Sequence, residues 1–282
     1  MKNLIDLHVH STASDGTMTP RELVFHAAAR GLKAVALTDH DTVDGIAEAE
    51  AAGREAGIEV IPGVEIGVDY FGEMHILGYF INYSDPVLVE GLKKARSYRD
   101  ERNPKMVEKL RELGFDVTME EITDASEGKV IGRPHFAAVL VKKGYVRDTA
   151  EAFERYLGAG KAAYVKKDRL TPRQGIELIA SSGGVPVLAH PKYLRIGDGQ
   201  DLDGLVKELV SYGLRGMEVY YSEHSPEETG RFYKVAADNN LIITGGTDFH
   251  GSHKPEIEIG RGKGNLEVSY DLLKQFKKLQ NL

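Results

Sequence analysis

Histidines and acidic residues stand where short apolar segments of the chain end. The first of these segments ends in Asp6-Leu7-His8-Val9-His10. Side chains two residues apart on a strand point the same way, so His8 and His10 can bind one cation together. Asp6 shares their face and is a candidate to orient an imidazole from outside the ligand set. The His-x-His pattern alone is weak, because two ordinary polar residues at a strand end would explain it equally well.

Later segments carry the same residue types, and together they favour a metal site over ordinary polar residues at strand ends. They are Thr38-Asp39-His40-Asp41, Pro62-Gly63-Val64-Glu65, Met74-His75-Ile76, Leu188-Ala189-His190-Pro191 and Thr247-Asp248-Phe249-His250. Bringing their histidines together with Asp15, Glu65 and Asp248 would be costly unless cations compensate the buried charge. The pattern therefore predicts a metal centre. The chain has no cysteine, so the ligands must be His and carboxylates, a mixed set that suits Mn, Fe or Zn better than Ca or Mg.

Alternating strands and helices are expected to position these residues. Short apolar runs predict strands buried on both faces: Leu4–Val9, Lys33–Leu37, Glu59–Ile61, Met74–Phe80, Val185–Ala189, Met217–Tyr220 and Leu241–Ile243. The alternation predicts a parallel sheet with right-handed crossovers. Seven strands indicate a closed barrel, one strand short of the eightfold form. In α/β barrels the active site lies at the carboxyl ends of the strands, where the candidate ligands stand.

Capping patterns mark the helices between the strands. The capping boxes are Thr19-Pro20-Arg21-Glu22, Ser225-Pro226-Glu227-Glu228 and, in a Gln version, Thr171-Pro172-Arg173-Gln174. Each has Pro at the first helical position, where its missing N–H costs nothing. Gly31, Gly57 and Gly213 fit helix ends, because glycine readily takes the left-handed conformation found there.

The alternation of strands and helices breaks between roughly Ser97 and Asp168. Helices are predicted there instead, at Pro104–Leu113, Met119–Ala125, Pro134–Lys143 and Thr149–Leu157. We therefore expect barrel segments at residues 1–97 and 169–282. Residues 98–168 would form a helical insertion between the fourth and fifth strands that caps the active site.

Bulk properties limit the class of protein. The 282 residues suffice for one barrel-sized α/β domain with a small insertion. The sequence shows neither a run of about eighteen apolar residues nor a secretory signal, so we expect a cytoplasmic protein with no membrane span. The formal charge of -7 argues against tight binding of long duplex nucleic acid, which needs a basic surface. A small phosphorylated substrate remains open, and no protein partner is evident.

Taken together, the motifs resemble those of the polymerase and histidinol phosphatase (PHP) superfamily. The resemblance rests on His8-Val9-His10, Asp15, Thr38-Asp39-His40-Asp41, Gly63-Val64-Glu65, His75, Ala189-His190-Pro191 and Thr247-Asp248-Phe249-His250. It covers most of the chain, the insertion included. It implies an α/β fold with a distorted seven-stranded β/α barrel, and a metal-dependent phosphoric ester hydrolase as the activity.

The resemblance also implies two to three divalent cations, with manganese the first expectation and iron or zinc as alternatives. The implied ligand sets are His8, His10, Glu65 and Asp248 for the first, Glu65, His75 and His190 for the second, and Asp15, His40 and His250 for the third. Glu65 would bridge two cations, which could activate a water and clamp the attacking and leaving oxygens of phosphoryl transfer. Glu65, Asp248 and His190 are the expected catalytic residues.

Segments in the insertion and after the sixth strand indicate the substrate class. They are Ile131-Gly132-Arg133-Pro134-His135, Gly160-Lys161-Ala162-Ala163-Tyr164-Val165 and Glu218-Val219-Tyr220-Tyr221-Ser222-Glu223-His224. The first and the last resemble the superfamily branch that acts on nucleoside 3′,5′-bisphosphates and on short RNA from the 5′ end. Arg133, His135, Lys161 and His224 would then bind the phosphate that is not cleaved. The alternative for Arg133 and His135 is a plain surface cap of a helix.

Two other functions stay open at this point. Histidinol-phosphate phosphatase, from the same superfamily, ranks lower because the compact insertion and its Gly-Arg-Pro-His segment fit the nucleotide branch better. A non-catalytic, metal-stabilised scaffold belongs to a different class of protein. Loss of ligands would favour the scaffold, and every ligand position of the pattern is filled here.

Overall fold

The computed structural model describes residues 3–70, 73–126, 131–165, 170–196 and 201–280. Two compact units make up the chain: Met1–Lys93 with Leu170–Leu282 form the first, and Lys94–Arg169 form the second. The second unit lies where the sequence predicts a helical insertion, and the predicted boundary at residue 168 falls outside the described residues. That the insertion caps the active site stays a prediction.

One sheet organises the first unit. In the described residues its strands are β1 (Leu4–Val9), β2 (Ala34–Leu37), β3 (Glu59–Val68), β4 (Met74–Tyr79), β5 (Val185–Leu188), β6 (Gly216–Tyr221), β7 (Ile242–Gly246) and β8 (Val268–Ser269). Their spatial order is β7-β6-β5-β4-β3-β2-β1-β8. The ends of β1 and β7 also meet, because the His10 N–H donates to the Phe249 carbonyl at 2.9 Å and the Asp248 N–H to the His8 carbonyl at 2.8 Å. The sheet therefore curls into a nearly closed barrel, which confirms the predicted fold class.

The sheet is mixed, and the prediction of an all-parallel sheet was wrong. β4 runs antiparallel to both β3 and β5, while the pairs β1–β2, β2–β3, β5–β6 and β6–β7 are parallel. The reason is the connection, since only residues 69–73 join β3 to β4 and a parallel crossover needs about a dozen residues or more. β3 also runs to Val68 instead of ending at Ile61, so Glu65 lies inside a strand. The short β8, antiparallel to β1, was not predicted.

Apolar side chains from several strands and a helix form the core beside the sheet. Leu7, Leu77, Val187 and Phe276 belong to this buried cluster. Successive side chains on a strand point to opposite faces. The neighbouring His8 therefore points to the other face of β1, away from this core.

Ten α-helices occur in the described residues. They are α1 (Pro20–Ala29), α2 (Ile46–Ala56), α3 (Pro86–Glu112), α4 (Met119–Ser126), α5 (Arg133–Lys142), α6 (Thr149–Ala152), α7 (Pro172–Ser181), α8 (Leu202–Ser211), α9 (Pro226–Asp238) and α10 (Tyr270–Gln280). The predicted capping boxes at the starts of α1, α7 and α9 are confirmed. The three predicted helix-ending glycines all take positive φ values, as expected for left-handed caps.

The helical unit has its own buried core, which includes Phe136 and Leu140.

The helix α3 is longer than predicted, because it begins at Pro86 and passes through Pro104 instead of starting there. Leu88 and Leu92, both buried, supply the i, i+4 apolar spacing of its first part. The last predicted helix divides into α6 and a π-helical turn at Phe153–Leu157. Among the described residues, no helix combines the length and apolar character that crossing a membrane requires.

Candidate metal centre

Glu65 lies at the centre of a cluster of imidazoles. Its side chain is fully buried on β3. Its Oε1 lies 2.7 Å from His75 Nδ1 and 3.0 Å from His190 Nε2. Its Oε2 lies 3.2 Å from one ring nitrogen of each of three further histidines, His8, His10 and His40. One carboxylate therefore reaches histidines from four separate segments of the chain.

The reversed direction of β4 explains how His75 reaches this cluster. His75 is the second residue of β4 and pairs with Gly67, close to the end of β3. Because β4 is antiparallel to its neighbours, its beginning lies beside their carboxyl ends. The sequence predicted the residue correctly as part of the fourth strand, and the strand direction places it at the same end of the barrel as Glu65.

Asp248, which follows β7, completes one group of candidate ligands. Its Oδ1 lies 3.2 Å from His10 Nε2 and 3.5 Å from His8 Nε2. Together with Glu65, these residues each offer one donor atom within 4.8 Å of the others. The group coincides with the first ligand set implied by the sequence motifs.

A further group forms around Asp15. Its Oδ1 lies 3.3 Å from His250 Nε2 and 3.8 Å from His10 Nδ1, and its Oδ2 lies 3.8 Å from His40 Nε2. These donor atoms also lie within 4.8 Å of one another. The structure thus brings together the third predicted set, Asp15 with His40 and His250, and adds His10 to it.

Asp39 holds the loop that carries Asp15. Its buried carboxylate accepts hydrogen bonds from the Ser11 N–H at 2.7 Å and from the Ser14 hydroxyl at 2.6 Å. Burial raises the pKa of Asp39 above its usual value. Asp39 therefore holds this loop in place, and it belongs to none of the candidate ligand groups among the described residues.

The second predicted set is arranged less simply. His40, Glu65 and His75 form a group within 4.8 Å, whereas the sequence motifs imply His190 as the third member. Both histidines lie beside Glu65, with His190 against Oε1 and His40 against Oε2. His40 therefore stands between two groups, and His190 remains in reach of the bridging carboxylate.

Buried donor atoms in the cluster fit a bound cation. Within the described ranges, several of them have no hydrogen-bond partner although they are screened from solvent: His8 Nε2, His10 Nδ1 and Nε2, His40 Nδ1, His190 Nδ1 and Glu65 Oε2. Leaving a buried polar atom unpartnered costs about 1–3 kcal/mol. Imidazole nitrogens and carboxylate oxygens are suitable ligands for Mn, Fe or Zn. The donor set therefore fits divalent metal ions of this type.

Charge compensation dominates the pKa values in the cluster. Burial lowers the pKa of His10, but its contacts with Asp248 and Glu65 outweigh burial and raise the pKa to about 10. Burial raises the pKa of Glu65, but the imidazoles of His40 and His75 outweigh it and hold that pKa well below its usual value. Burial, together with the neighbouring imidazoles of His10 and His75, outweighs the carboxylates beside His40 and lowers its pKa to about 3. A cation could take over the compensation supplied by protonated imidazoles, releasing protons as it binds.

The carboxylate in contact with the His8 ring on the side away from Glu65 belongs to Glu218, which was not among the predicted site residues. Asp6 was the sequence candidate, but its carboxylate accepts from the backbone N–H groups of His8, Thr247 and Gly260 and from the Thr247 hydroxyl. Glu218 instead accepts from His8 Nδ1 at 3.0 Å. The available signal was a lone Glu inside the apolar strand β6.

Two further residues hold the second oxygen of Asp248. The Tyr221 hydroxyl donates to Oδ2 at 3.0 Å, and the Lys254 ammonium lies 2.6 Å from the same atom. Oδ1 is thereby left facing the histidines. Burial raises the pKa of Tyr221 strongly, with the Asp248 charge adding to the effect, so the hydroxyl keeps its proton and acts as a donor.

The predicted substrate residues have mixed environments. The Arg133 guanidinium lies 5.6 Å and 5.8 Å from the ring centroids of Phe153 and Tyr164, and it donates to the Leu157 carbonyl at 3.3 Å. His135 Nδ1 accepts from the Gly132 N–H at 2.9 Å, so this ring caps the start of α5, as the alternative interpretation expects. Lys161 is exposed.

His224 lies in the barrel unit and is buried. Its Nδ1 donates to the Val219 carbonyl at 2.9 Å, and its ring lies 5.0 Å from that of Tyr221 and 4.7 Å from that of Phe232. Burial lowers the pKa of His224. The imidazole is therefore neutral near pH 7, with its proton on Nδ1, and Nε2 is left as an acceptor.

Known proteins resemble this chain over most of its length. The PHP domain profile matches residues 6–212. The chain is 36% identical over 251 residues to a 5′-3′ exoribonuclease from Haemophilus influenzae, covering 89% of this chain and 91% of that protein. It is 36% identical over 261 residues to a 3′,5′-nucleoside bisphosphate phosphatase from Chromobacterium violaceum, covering 91% and 90%. A solved structure of a proposed metal-dependent phosphoesterase from Bifidobacterium adolescentis matches with a TM-score of 0.81 and 31% identity, covering 98% of this chain and 96% of that chain.

These similarities agree with the geometry of the barrel. The match begins at Asp6 in β1 and includes β3 with Glu65, β4 with His75 and the turn after β5 that carries His190. The relatives are named for the cleavage of phosphoric esters, and the histidine and carboxylate groups offer positions for metal ions. The chain therefore belongs to the PHP family and is a metal-dependent phosphoesterase.

Proposed function

We propose that this protein hydrolyses phosphate esters of small nucleotides, namely nucleoside 3′,5′-bisphosphates and short RNA taken from its 5′ end. The exoribonuclease and the bisphosphate phosphatase to which the chain is similar support this substrate class. The observation that carries the proposal is the convergence on Glu65, whose two oxygens lie within 3.2 Å of ring nitrogens from five histidines.

Two to three divalent cations, with manganese first and iron or zinc as alternatives, would bind this cluster. The proposed ligand sets are His8, His10, Glu65 and Asp248; Glu65, His75 and His190; and Asp15, His40 and His250. Bound there, the cations supply a water of lowered pKa and positive charge for the phosphoryl group. The unpartnered imidazole nitrogens of the cluster support the assignment.

The chain's own residues hold the reacting groups in place. Glu65 and Asp248 have pKa values well below their usual range, because burial, which raises them, is outweighed by neighbouring imidazoles. Both carboxylates therefore stay ionised near pH 7. Lys254 lies 2.6 Å from Asp248 Oδ2 and adds positive charge beside the site. Glu65, Asp248 and His190 are the proposed catalytic residues, since they would touch the cations.

Arg133, His135, Lys161 and His224 are proposed to bind the phosphate that is not cleaved. Arg133 has five N–H donors, of which one donates to a backbone carbonyl, so others remain to meet a phosphate in a bidentate manner. His224 Nε2 is buried and has no hydrogen-bond partner among the described residues. A substrate hydroxyl could donate to it, whereas contact with a phosphate oxygen would require the ring to be protonated.

A screen of the manganese-loaded protein tests the proposal, with phosphate release measured for the small substrates and mononucleotide release measured for the RNA. The substrates are nucleoside 3′,5′-bisphosphates, 5′-mononucleotides, a short 5′-phosphorylated RNA and histidinol phosphate. We expect the 3′,5′-bisphosphate to give the highest kcat/KM, because it alone among the small substrates carries a second phosphate for binding. A higher kcat/KM for histidinol phosphate would replace the proposal with a histidinol-phosphate phosphatase. No hydrolysis of any substrate would favour the non-catalytic scaffold.

A further inference from the structure

Glu218 is a buried carboxylate that holds two candidate ligands at once. It lies on β6 and its side chain is fully inaccessible to solvent. Its Oε1 accepts a hydrogen bond from His8 Nδ1 at 3.0 Å. Its Oε2 accepts from the backbone N–H of His190 at 2.8 Å. The two oxygens thus hold residues that stand in different predicted ligand sets.

The contact with His8 determines which ring nitrogen is offered to a cation. Because Nδ1 donates its proton to Glu218, the lone pair remains at Nε2. His8 Nε2 lies 3.2 Å from Glu65 Oε2 and 3.5 Å from Asp248 Oδ1, inside the group of candidate ligands. Carboxylates that hold a metal-binding histidine from behind in this way fix both its tautomer and the orientation of its ring.

The contact with His190 acts on the backbone instead. His190 has φ 22 and ψ 64, a conformation that residues with a side chain rarely adopt and that needs support from its surroundings. The hydrogen bond from its N–H to the Glu218 carboxylate provides such support. In this conformation His190 Nε2 lies 3.0 Å from Glu65 Oε1, on the opposite oxygen from His8.

We propose that Glu218 is a positioning residue that couples two cation positions, one served by His8 and the other by His190. The inference rests on the proposed metal centre. A single buried side chain holds the ring of one ligand and the main chain of the other, so its loss must loosen both. Residues that act behind a ligand in this way typically change metal affinity by about 10- to 100-fold when replaced.

Glu218→Gln tests the coupling with little change in shape. The amide has one acceptor oxygen, so its NH2 group must face either the His8 Nδ1–H or the His190 N–H, and the remaining contact loses its charge assistance. Titration of the metal-free protein with Mn²⁺, followed by calorimetry and elemental analysis, should show about 10- to 100-fold weaker binding at two positions. Weaker binding at one position alone, or affinities within about twofold of wild type at both, would overturn the proposal.

A second readout in the metal-free protein separates this inference from the proposed function. Nitrogen-15 NMR of the His8 Nδ1–H and the His190 amide should show two protected, hydrogen-bonded protons in the wild type, and the variant should lose at least one. If the wild type binds no divalent cation, the metal centre fails, while these resonances still decide whether Glu218 holds both residues. Unchanged resonances in the variant would contradict the positioning role.

Two further variants serve as the control for Glu218→Gln and as its substitute. Glu59→Gln is the matched control, because Glu59 begins β3 and pairs with Lys277 and Tyr270, and it should leave both readouts at wild-type values. If Glu218→Gln does not fold, Glu218→Asp takes its place. Aspartate retains the charge but is one carbon shorter and cannot span both donors, so binding about 10- to 100-fold weaker than wild type is again expected at both metal positions.

Discussion

At the level of single residues, the two oxygens of Glu65 explain how one side chain could serve two cations. Oε1 faces His75 and His190, whereas Oε2 faces His8, His10 and His40. A carboxylate whose oxygens meet separate sets of imidazoles has the arrangement that a bridging ligand requires. A carboxylate that binds one cation through one oxygen would need only that oxygen among the imidazoles.

Glu65→Gln tests this bridging role. Gln keeps the shape but removes the charge, so it cannot compensate two cations. We expect the variant to lose at least one bound metal and more than about a hundredfold in kcat/KM, since direct ligands matter more than residues that orient them. Elemental analysis and a phosphate-release assay measure the two effects. Full metal content with near-normal turnover would show that Glu65 is not a bridge.

Arg133 has two competing roles that kinetics can separate. Its contacts with Phe153, Tyr164 and the Leu157 carbonyl are compatible with a structural role as well as with phosphate binding. If it binds the uncleaved phosphate, Arg133→Ala removes a charge-assisted contact of about 1.5–3 kcal/mol. The kcat/KM for a 3′,5′-bisphosphate should then fall about ten- to hundredfold, while that for an aryl phosphate changes little.

Arg155→Ala is the control for that experiment. Arg155 belongs to the same helical unit and pairs with Glu151 at 2.7 Å on the surface, so its loss should affect neither substrate. An equal fall for both substrates in Arg133→Ala would assign Arg133 to the structure of the insertion.

The candidate ligands were predictable from sequence because each stands at or near a strand end, which is a local property. The role of Glu218 was not, since His8 lies 210 residues away in the chain and only the curled sheet, in which the end of β7 meets β1, brings the two side chains together. The same holds for Lys254, whose ion pair with Asp248 depends on the turn after β7. Residues that support ligands are set by tertiary contacts, which residue type and spacing do not reveal.

At the level of elements, the direction of β4 is what the strand pattern could not predict. Apolar runs look alike in parallel and antiparallel strands, and the alternation of strands and helices favoured a parallel sheet. The short link between β3 and β4, residues 69–73, was the available signal, because it is too short for a crossover. Helix starts were predicted well, since capping boxes are local patterns.

The junction of β7 with β1 offers a test of how barrel closure holds the site. A Cβ added at Gly246 would lie 2.3 Å from His8 Cβ and 2.5 Å from His8 N, so Gly246→Ala must displace β1. We expect it to lower the free energy of unfolding by about 1–3 kcal/mol and to weaken metal binding, as measured by urea denaturation and metal titration.

Gly230→Ala is the matched control for this substitution. Gly230 lies in α9, and nothing lies within 4 Å of an added Cβ. Because alanine is a better helix former than glycine, this change should raise the free energy of unfolding by about 0.5–1 kcal/mol. If Gly246→Ala left the free energy of unfolding unchanged or raised it, as expected for Gly230→Ala, the close approach of β7 to His8 would be contradicted.

At the level of the whole molecule, metal binding should contribute to the stability of the barrel. The clustered imidazoles and carboxylates form one site only in the folded chain, so a cation that binds there stabilises the fold. At a metal concentration of about 100 times Kd, the gain is about 2.7 kcal/mol, or roughly 5–10 °C in Tm for a protein of this size.

Thermal unfolding with and without a chelator measures that gain. Mn²⁺ should raise Tm and the chelator should return it to the metal-free value. Ca²⁺ should act less, because it prefers sites made of oxygen ligands. A Tm that is insensitive to Mn²⁺ would argue against a metal site in the native protein.

The central claim is that the histidines and carboxylates around Glu65 form a hydrolytic centre that depends on more than one cation. The most direct measurement is the rate of phosphate release from a nucleoside 3′,5′-bisphosphate as Mn²⁺ is added to metal-free protein in known equivalents. We predict negligible turnover without metal and a rate that reaches its plateau only after the second equivalent is bound. Full turnover in the metal-free protein, or a plateau at a single equivalent, would contradict it.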